Sequence, residues 1–296
     1  VSSAAPPLQP VDAASQAARL KAAVPLAWVH FPKCGSSFAN FVVDLPGVCP
    51  DVPKDRLISN QMGGVRQLQN FKNEYDADKP YGACGANIFR WGNHDGVGNA
   101  SNWEEHYKGH ALIMVRQPEQ RLLSAYHYGQ HSWPLLEKAK DPLEYAQVIQ
   151  GCSVRQLSRD GRAEYEVCGG RKDGPVHPGE VELAIRRLHE AAFVGITDQW
   201  ALTICLGHRM FGGRCRLSDF VDSRPSAHRG EHAFNKVQVR TEPVPWSTEP
   251  LHGFHDPFDG ALYKAALKIF QRELLEFGAS LESCQPCFDE AGIEVS

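Results

Sequence analysis

The chain has 296 residues, 42% of them hydrophobic and 22% charged, enough to bury one substantial core and to make a single α/β domain the first expectation. A formal net charge of −4 argues against nucleic acid as the main partner, and no apolar stretch reaches the length needed to span a bilayer. No internal repeat is visible.

Residues 1–25, rich in Ala, Pro, Ser and Gln, read as a flexible N-terminal arm with a short helical patch around Ala14 to Ala23. The domain is expected to occupy residues 26–296. A start at Val leaves room for an upstream signal, transit peptide or anchor, so membrane attachment is expected only through such a segment.

Leu26-Ala27-Trp28-Val29 reads as a buried strand, and Ser36 to Val43 has the apolar spacing of a helix. Lys33, Gly35, Ser36 and Ser37 therefore fall on a strand-to-helix turn, where backbone N–H groups and a helix N-terminus favour an anion. Gly35 permits close backbone approach and Lys33 adds a full charge. No glycine precedes Lys33 at the Walker A spacing, which disfavours a nucleoside triphosphate.

Further on, Ile88-Phe89-Arg90-Trp91-Gly92-Asn93-His94-Asp95-Gly96 runs from a strand into a Gly-rich loop. Ala111-Leu112-Ile113-Met114-Val115 is an unbroken apolar run typical of a strand covered on both faces. Arg116 stands at its carboxyl end, Pro118 suits the first turn of a following helix, and Arg121 and Ser124 share one side of that helix. A salt bridge inside the fold is the commoner fate of a residue such as Arg121. Two anion-suited turns in one chain suggest a ligand with two separate anionic groups.

Phe193-Val194-Gly195-Ile196 reads as a strand, Thr197 as a helix N-cap, and Asp198 to Phe211 as an amphipathic helix ended by Gly212. The polar stretch Ser223 to Lys236 has the composition of a lid, with Arg229 and Lys236 as cations able to reach a phosphate. A packed helix is expected from Leu262 to Phe277.

Nine cysteines suit a secretory compartment. Spacing points to Cys152 with Cys168 and Cys205 with Cys215 as loop-closing pairs. Cys284-Gln285-Pro286-Cys287 is open to a disulfide, a redox pair or half of a zinc site. Cys34 is not expected to act as a nucleophile.

The segments Pro32-Lys33-Cys34-Gly35-Ser36-Ser37 and Arg116-Gln117-Pro118-Glu119-Gln120-Arg121-Leu122-Leu123-Ser124-Ala125-Tyr126 resemble the cofactor signature of sulfotransferases that use 3′-phosphoadenosine 5′-phosphosulfate (PAPS). The stretch Phe193 to Gln199 and the final helix resemble the Golgi-type carbohydrate and tyrosine enzymes, so the likeness spans roughly residues 26–278. It implies an α/β fold, a P-loop-like three-layer sandwich around a central, mostly parallel sheet. It implies that Lys33, Gly35, Ser36, Ser37 and Phe38 hold the 5′-phosphosulfate and that Arg116 and Ser124 bind the 3′-phosphate. Residues 88–96 resemble the Gly-His-x-His region of those enzymes, which makes His94 the expected base, with Asp95 orienting or replacing it and His106, His110, Glu104 and Glu105 behind.

The expected activity is therefore sulfonate transfer from PAPS to a carbohydrate hydroxyl by in-line displacement, with no metal and with Lys33 on the leaving group. A small-molecule alcohol or amine is the alternative acceptor, and a non-catalytic nucleotide-binding or interaction protein is the reading from another class. The resemblance favours the Golgi lumen or secretory pathway, with the cytoplasm as the alternative. The acceptor pocket is expected in the loops 44–82 and 129–180.

Overall fold

The computed structural model describes residues 12–52, 82–91, 94–160, 167–169, 174–222, 238–239 and 245–295. Four parallel strands form the centre: β1 (Leu26–His30), β2 (Ile88–Trp91), β3 (Ala111–Val115) and β4 (Phe193–Ile196), in the spatial order β2-β1-β3-β4. Every residue of β1, β3 and β4 is buried, as the unbroken apolar runs require of strands covered on both faces. The register pairs His30 with Met114 and Val115 with Ile196, so the carboxyl ends of β1, β3 and β4 lie side by side.

Helices surround this sheet. The arm expected over residues 1–25 is, across its described part, helix α1 (Ala13–Ala23), capped by Asp12, with Leu20 and Ala23 buried in the core. Its apolar face makes it part of the folded unit, not a segment standing off it. The helix expected from Ser36 begins at Phe38 as α2 (Phe38–Asp44) and is buried along its whole length. Beyond β2 come α3 (Ala100–His106), then β3 and α4 (Pro118–His127), then α5 (Pro142–Ile149), α6 (Cys152–Ser158) and α7 (Pro178–His189). Thr197 does not cap the next helix: residues Thr197–Gln199 form a 3₁₀ turn, and α8 (Trp200–Phe211) starts only after it. Gly212 ends α8 at φ 77°, as expected. A two-residue antiparallel pair, β5 (Val221–Asp222) with β6 (Gln238–Val239), precedes α9 (Pro257–Glu276) and α10 (Gln285–Ala291). The residues 223–236, read as a lid, lie outside the described residues.

Arg121 has the structural role that its type favours. It is 1% exposed and its Nη2 lies 3.2 Å from Asp259 Oδ2. Asp259 also accepts from the N–H groups of Ser153 and Val154, while Asp256, the N-cap of α9, accepts from Gly151 N–H. This buried network fixes α4 and α6 to the start of α9, behind the carboxyl edge of β3.

Cysteine pairing departs from the spacing argument. Cys152–Cys168 is present, but Cys205 bonds Cys284 and Cys215 bonds Cys287, and Cys49 bonds Cys84. Both halves of the Cys-x-x-Cys segment thus reach α8 and the turn after it, because Phe288 and Ala291 of α10 are packed into the same core. Cys205–Cys215 was the economical guess from sequence, and only that tertiary contact overrides it.

One buried acid gives a direct stability test. Burial, with Glu276 adding to it, pushes Glu273 on α9 up to about 7, and its Oε2 has no hydrogen-bond partner among the described residues. The folded state therefore holds this proton more tightly than the unfolded chain, so stability falls as pH rises from 4.5 through about 7. Glu273→Gln is expected to stabilise the protein by about 3 kcal/mol at pH 8, with the gain fading to nothing near pH 4. Melting curves at the two pH values check it; an equal effect at both would mean that folding does not raise the pKa of this carboxyl.

Candidate functional site

The strand order reverses direction around β1: the chain passes from β1 to the edge strand β2 and then crosses back to β3 on the other side. In open parallel sheets the crevice at such a switch, outside the strand carboxyl ends, is where ligands bind. Lys33 follows β1 and Arg116 follows β3, so the two sequence motifs flank this crevice.

The first motif is a tight turn closed by Cys34 N–H donating to Phe31 C=O. Lys33 has φ 66° and Gly35 φ 79°. A Cβ at Gly35 would also come within 2.5 Å of the Trp200 ring, so both backbone conformation and packing require glycine there. The carbonyls of Gly35 and Ser36 accept from Phe38 and Ala39, while the N–H groups of Gly35 and Ser36 donate to nothing among the described residues. With only seven residues, α2 adds little dipole, so the unused N–H groups and nearby cations carry what attraction this turn has for an anion. Ser37 is buried, and the Phe38 ring stacks on Phe41 and Phe193, so Phe38 offers a ligand only its backbone.

Arg116 joins the two motifs. Its Nη1 donates to Lys33 C=O over 3.3 Å, and its Nε lies 4.0 Å from Asp198 Oδ1. Asp198 in turn accepts from Gln117 N–H and from the Tyr263 hydroxyl. Burial pulls the guanidinium below its ordinary value, with Asp198 opposing. Arg116 is 7% exposed, yet its Nε has no hydrogen-bond partner among the described residues; Thr197 Oγ1, one residue past the end of β4, is in the same position. Nε of Arg90, Arg121, Arg155, Arg187 and Arg216 is likewise without a hydrogen-bond partner among the described residues, so what suits this place to an anion is its position: a buried cation and a hydroxyl at adjoining strand ends, near the unused N–H groups of the first motif. Ser124 is fully buried in α4 and has no exposed surface of its own.

The Lys33 ammonium sits 3.8 Å from the centroid of the Tyr128 ring. From Tyr128 a chain of rings leads on: Tyr128 to His131 at 6.0 Å, His131 to His94 at 5.3 Å and His94 to His30 at 4.8 Å. His94 Nε2 and His30 Nδ1 are 3.3 Å apart. His94 thus belongs to the same cluster as Lys33, through side chains that sequence reading did not single out. His30 was legible only as a strand end, and Tyr128 and His131 follow a helix whose end no pattern connects to β1.

The other proton-acceptor candidates are placed elsewhere. His110 precedes β3, at the amino end of the sheet, and its Nδ1 contacts Ala23 C=O. Glu104 pairs with Lys108, and Glu105 with His106, on α3, which also leads into that end. Five strand residues separate that end from Arg116, about 16 Å. Asp95 accepts from Arg90 through its backbone carbonyl. Cys34 is free but fully buried, and burial pushes its thiol up to about 12, which leaves it inert at neutral pH. Arg229 and Lys236 lie outside the described residues, as does much of the loop 44–82. Among the described residues no set of His, Cys, Asp or Glu is grouped as metal ligands, and no helix is long and apolar enough to cross a membrane.

Comparisons with protein-family models, with curated proteins and with solved structures give no match to this chain.

Proposed function

We propose that the chain is a PAPS-dependent sulfotransferase acting on a carbohydrate hydroxyl, on a P-loop-like three-layer α/β scaffold. The observation that carries the reading is the link between the two motifs: Arg116, a buried cation at the end of β3, reaches Lys33 C=O across the switch crevice. One ligand with two anionic groups would then meet Gly35 and Ser36 N–H and Lys33 on one side and Arg116 on the other. PAPS has that form, and as substrate it supplies an activated sulfonate on a phosphate leaving group.

The residues divide the work. Lys33 leaves the Tyr128 ring to offset charge on the departing phosphate oxygen, while the N–H groups of Gly35 and Ser36 orient that phosphate. Arg116 anchors the far phosphate, held in place by Lys33 C=O and Asp198. His94 takes the acceptor's proton. The carbohydrate acceptor rests on the likeness to Golgi-type enzymes, and four disulfides suit the oxidising compartment in which such enzymes work.

The test has two arms. Adenosine 3′,5′-bisphosphate should raise the melting temperature by mass action on the folded state, and radiolabelled PAPS should pass its label to a member of a panel of glycans, alcohols and amines. An unchanged melting curve at millimolar ligand would sink the cofactor; a melting shift without transfer to any acceptor would leave a nucleotide-binding protein.

A further inference from the structure

We infer that His30 is a positioning residue for His94, fixing its ring and its tautomer so that Nδ1 carries the basic lone pair; as a catalytic role this rests on the reading above. His30 is the last residue of β1 and is 3% exposed. Its environment is rigid on three counts. Trp28 stacks on its ring at 4.7 Å, the fully buried Gln156 donates to its carbonyl over 2.9 Å, and its backbone is in register with Met114 in the sheet. His94, by contrast, is half-buried in an irregular segment beyond β2. Where an imidazole on a buried strand lies 3.3 Å from one in an irregular segment, the strand residue sets the geometry.

The contact pairs Nδ1 of the two ring nitrogens of His30, while Nε2 has no hydrogen-bond partner among the described residues, and an apolar residue would pack beside Trp28 without the cost of burying a polar ring. The contact also constrains the proton. A neutral imidazole carries one N–H, so if His94 Nε2–H donates to His30 Nδ1, the lone pair of His94 is on Nδ1. As the new oxygen–sulfur bond forms, the acceptor's proton passes to His94 Nδ1, and the bond from sulfur to the phosphate oxygen breaks with its electron pair left on that oxygen beside Lys33. The resulting imidazolium still donates through Nε2 to His30. Of the other cationic or titratable groups in the cluster, His131 faces His94 edge-on, and Lys33 stands beyond Tyr128.

The experiment compares His30→Leu, which removes the acceptor atom, with His30→Asn, whose side-chain oxygen can stand near Nδ1. The first readout needs no turnover: ¹⁵N-histidine NMR, with the His94 signals assigned by their loss in His94→Gln. The wild type should show His94 as the Nε2–H tautomer, His30→Leu should disturb it, and His30→Asn should restore it. Turnover should fall on the order of tenfold or more in His30→Leu with the KM for PAPS within about twofold, and recover in His30→Asn. The low-pH limb of the rate profile should move with the tautomer. An Nδ1–H tautomer of His94 in the wild type, or one unchanged in His30→Leu, overturns the inference. So does a His30→Asn variant as impaired as His30→Leu, since that outcome means packing alone. If the wild type transfers no sulfonate and adenosine bisphosphate gives no melting shift, the functional reading has failed, and the tautomer measurement alone still decides whether His30 positions His94.

Discussion

Arg116→Ala is expected to erase most of the thermal stabilisation given by adenosine 3′,5′-bisphosphate. A ligand at 100 times its Kd stabilises the folded state by about 2.7 kcal/mol. Loss of a charge-assisted contact to a phosphate weakens binding by about 2–3 kcal/mol, on the order of a hundredfold. The same ligand concentration then stands near the new Kd, and the stabilisation shrinks to about 0.4 kcal/mol. The apo variant should itself be less stable, because it loses the 3.3 Å hydrogen bond to Lys33 C=O and the 4.0 Å ion pair with Asp198. The discriminating quantity is therefore the difference between liganded and free melting temperatures, not either alone. A variant that keeps the wild-type difference would place the phosphate away from the β3 edge and would separate the two motifs that Arg116 joins.

The parallel sheet was legible because its strands are apolar runs, and fully buried parallel strands leave that trace in any sequence. The turn at Lys33 to Ser37 was legible for the same local reason: the conformation demanded by Gly35 is written in one residue. What escaped were contacts that depend on how the helices fold back. Nothing near Cys215 signals that Cys287 lies beside it, since that pairing follows from the packing of Phe288 and Ala291 into the shared core. Likewise Asp198, read as the first residue of a helix, stands in a 3₁₀ turn that aims its carboxylate at Arg116 and Gln117 N–H. The site itself divides the same way. Lys33 and Arg116 were visible as motif positions, whereas the ring series through Tyr128 and His131 exists only because the loop after α4 returns over the end of β1.

His94→Ala is expected to lower turnover by about a hundredfold or more while the melting shift with adenosine 3′,5′-bisphosphate stays close to that of the wild type. The two effects separate because the proton moves only on the way to the transition state, whereas on the proposed reading nucleotide binding uses Lys33, Arg116 and the N–H groups of Gly35 and Ser36. The pH dependence gives the second half of the argument. An imidazole base works only while neutral, so the wild-type rate should fall as pH drops through the range in which imidazoles take up a proton. The residual rate of the alanine variant should lose that dependence. His131 sets the competing outcome: its ring is 5.3 Å from that of His94, close enough to take over if the acceptor is approached from the Tyr128 side. In that case His94→Ala would keep most of the activity and the acid limb, and His131→Ala would remove both. Loss of activity in Asp95→Ala alone, with both histidine variants active, would instead move the base to a carboxylate while leaving the nucleotide assignment to stand on Arg116.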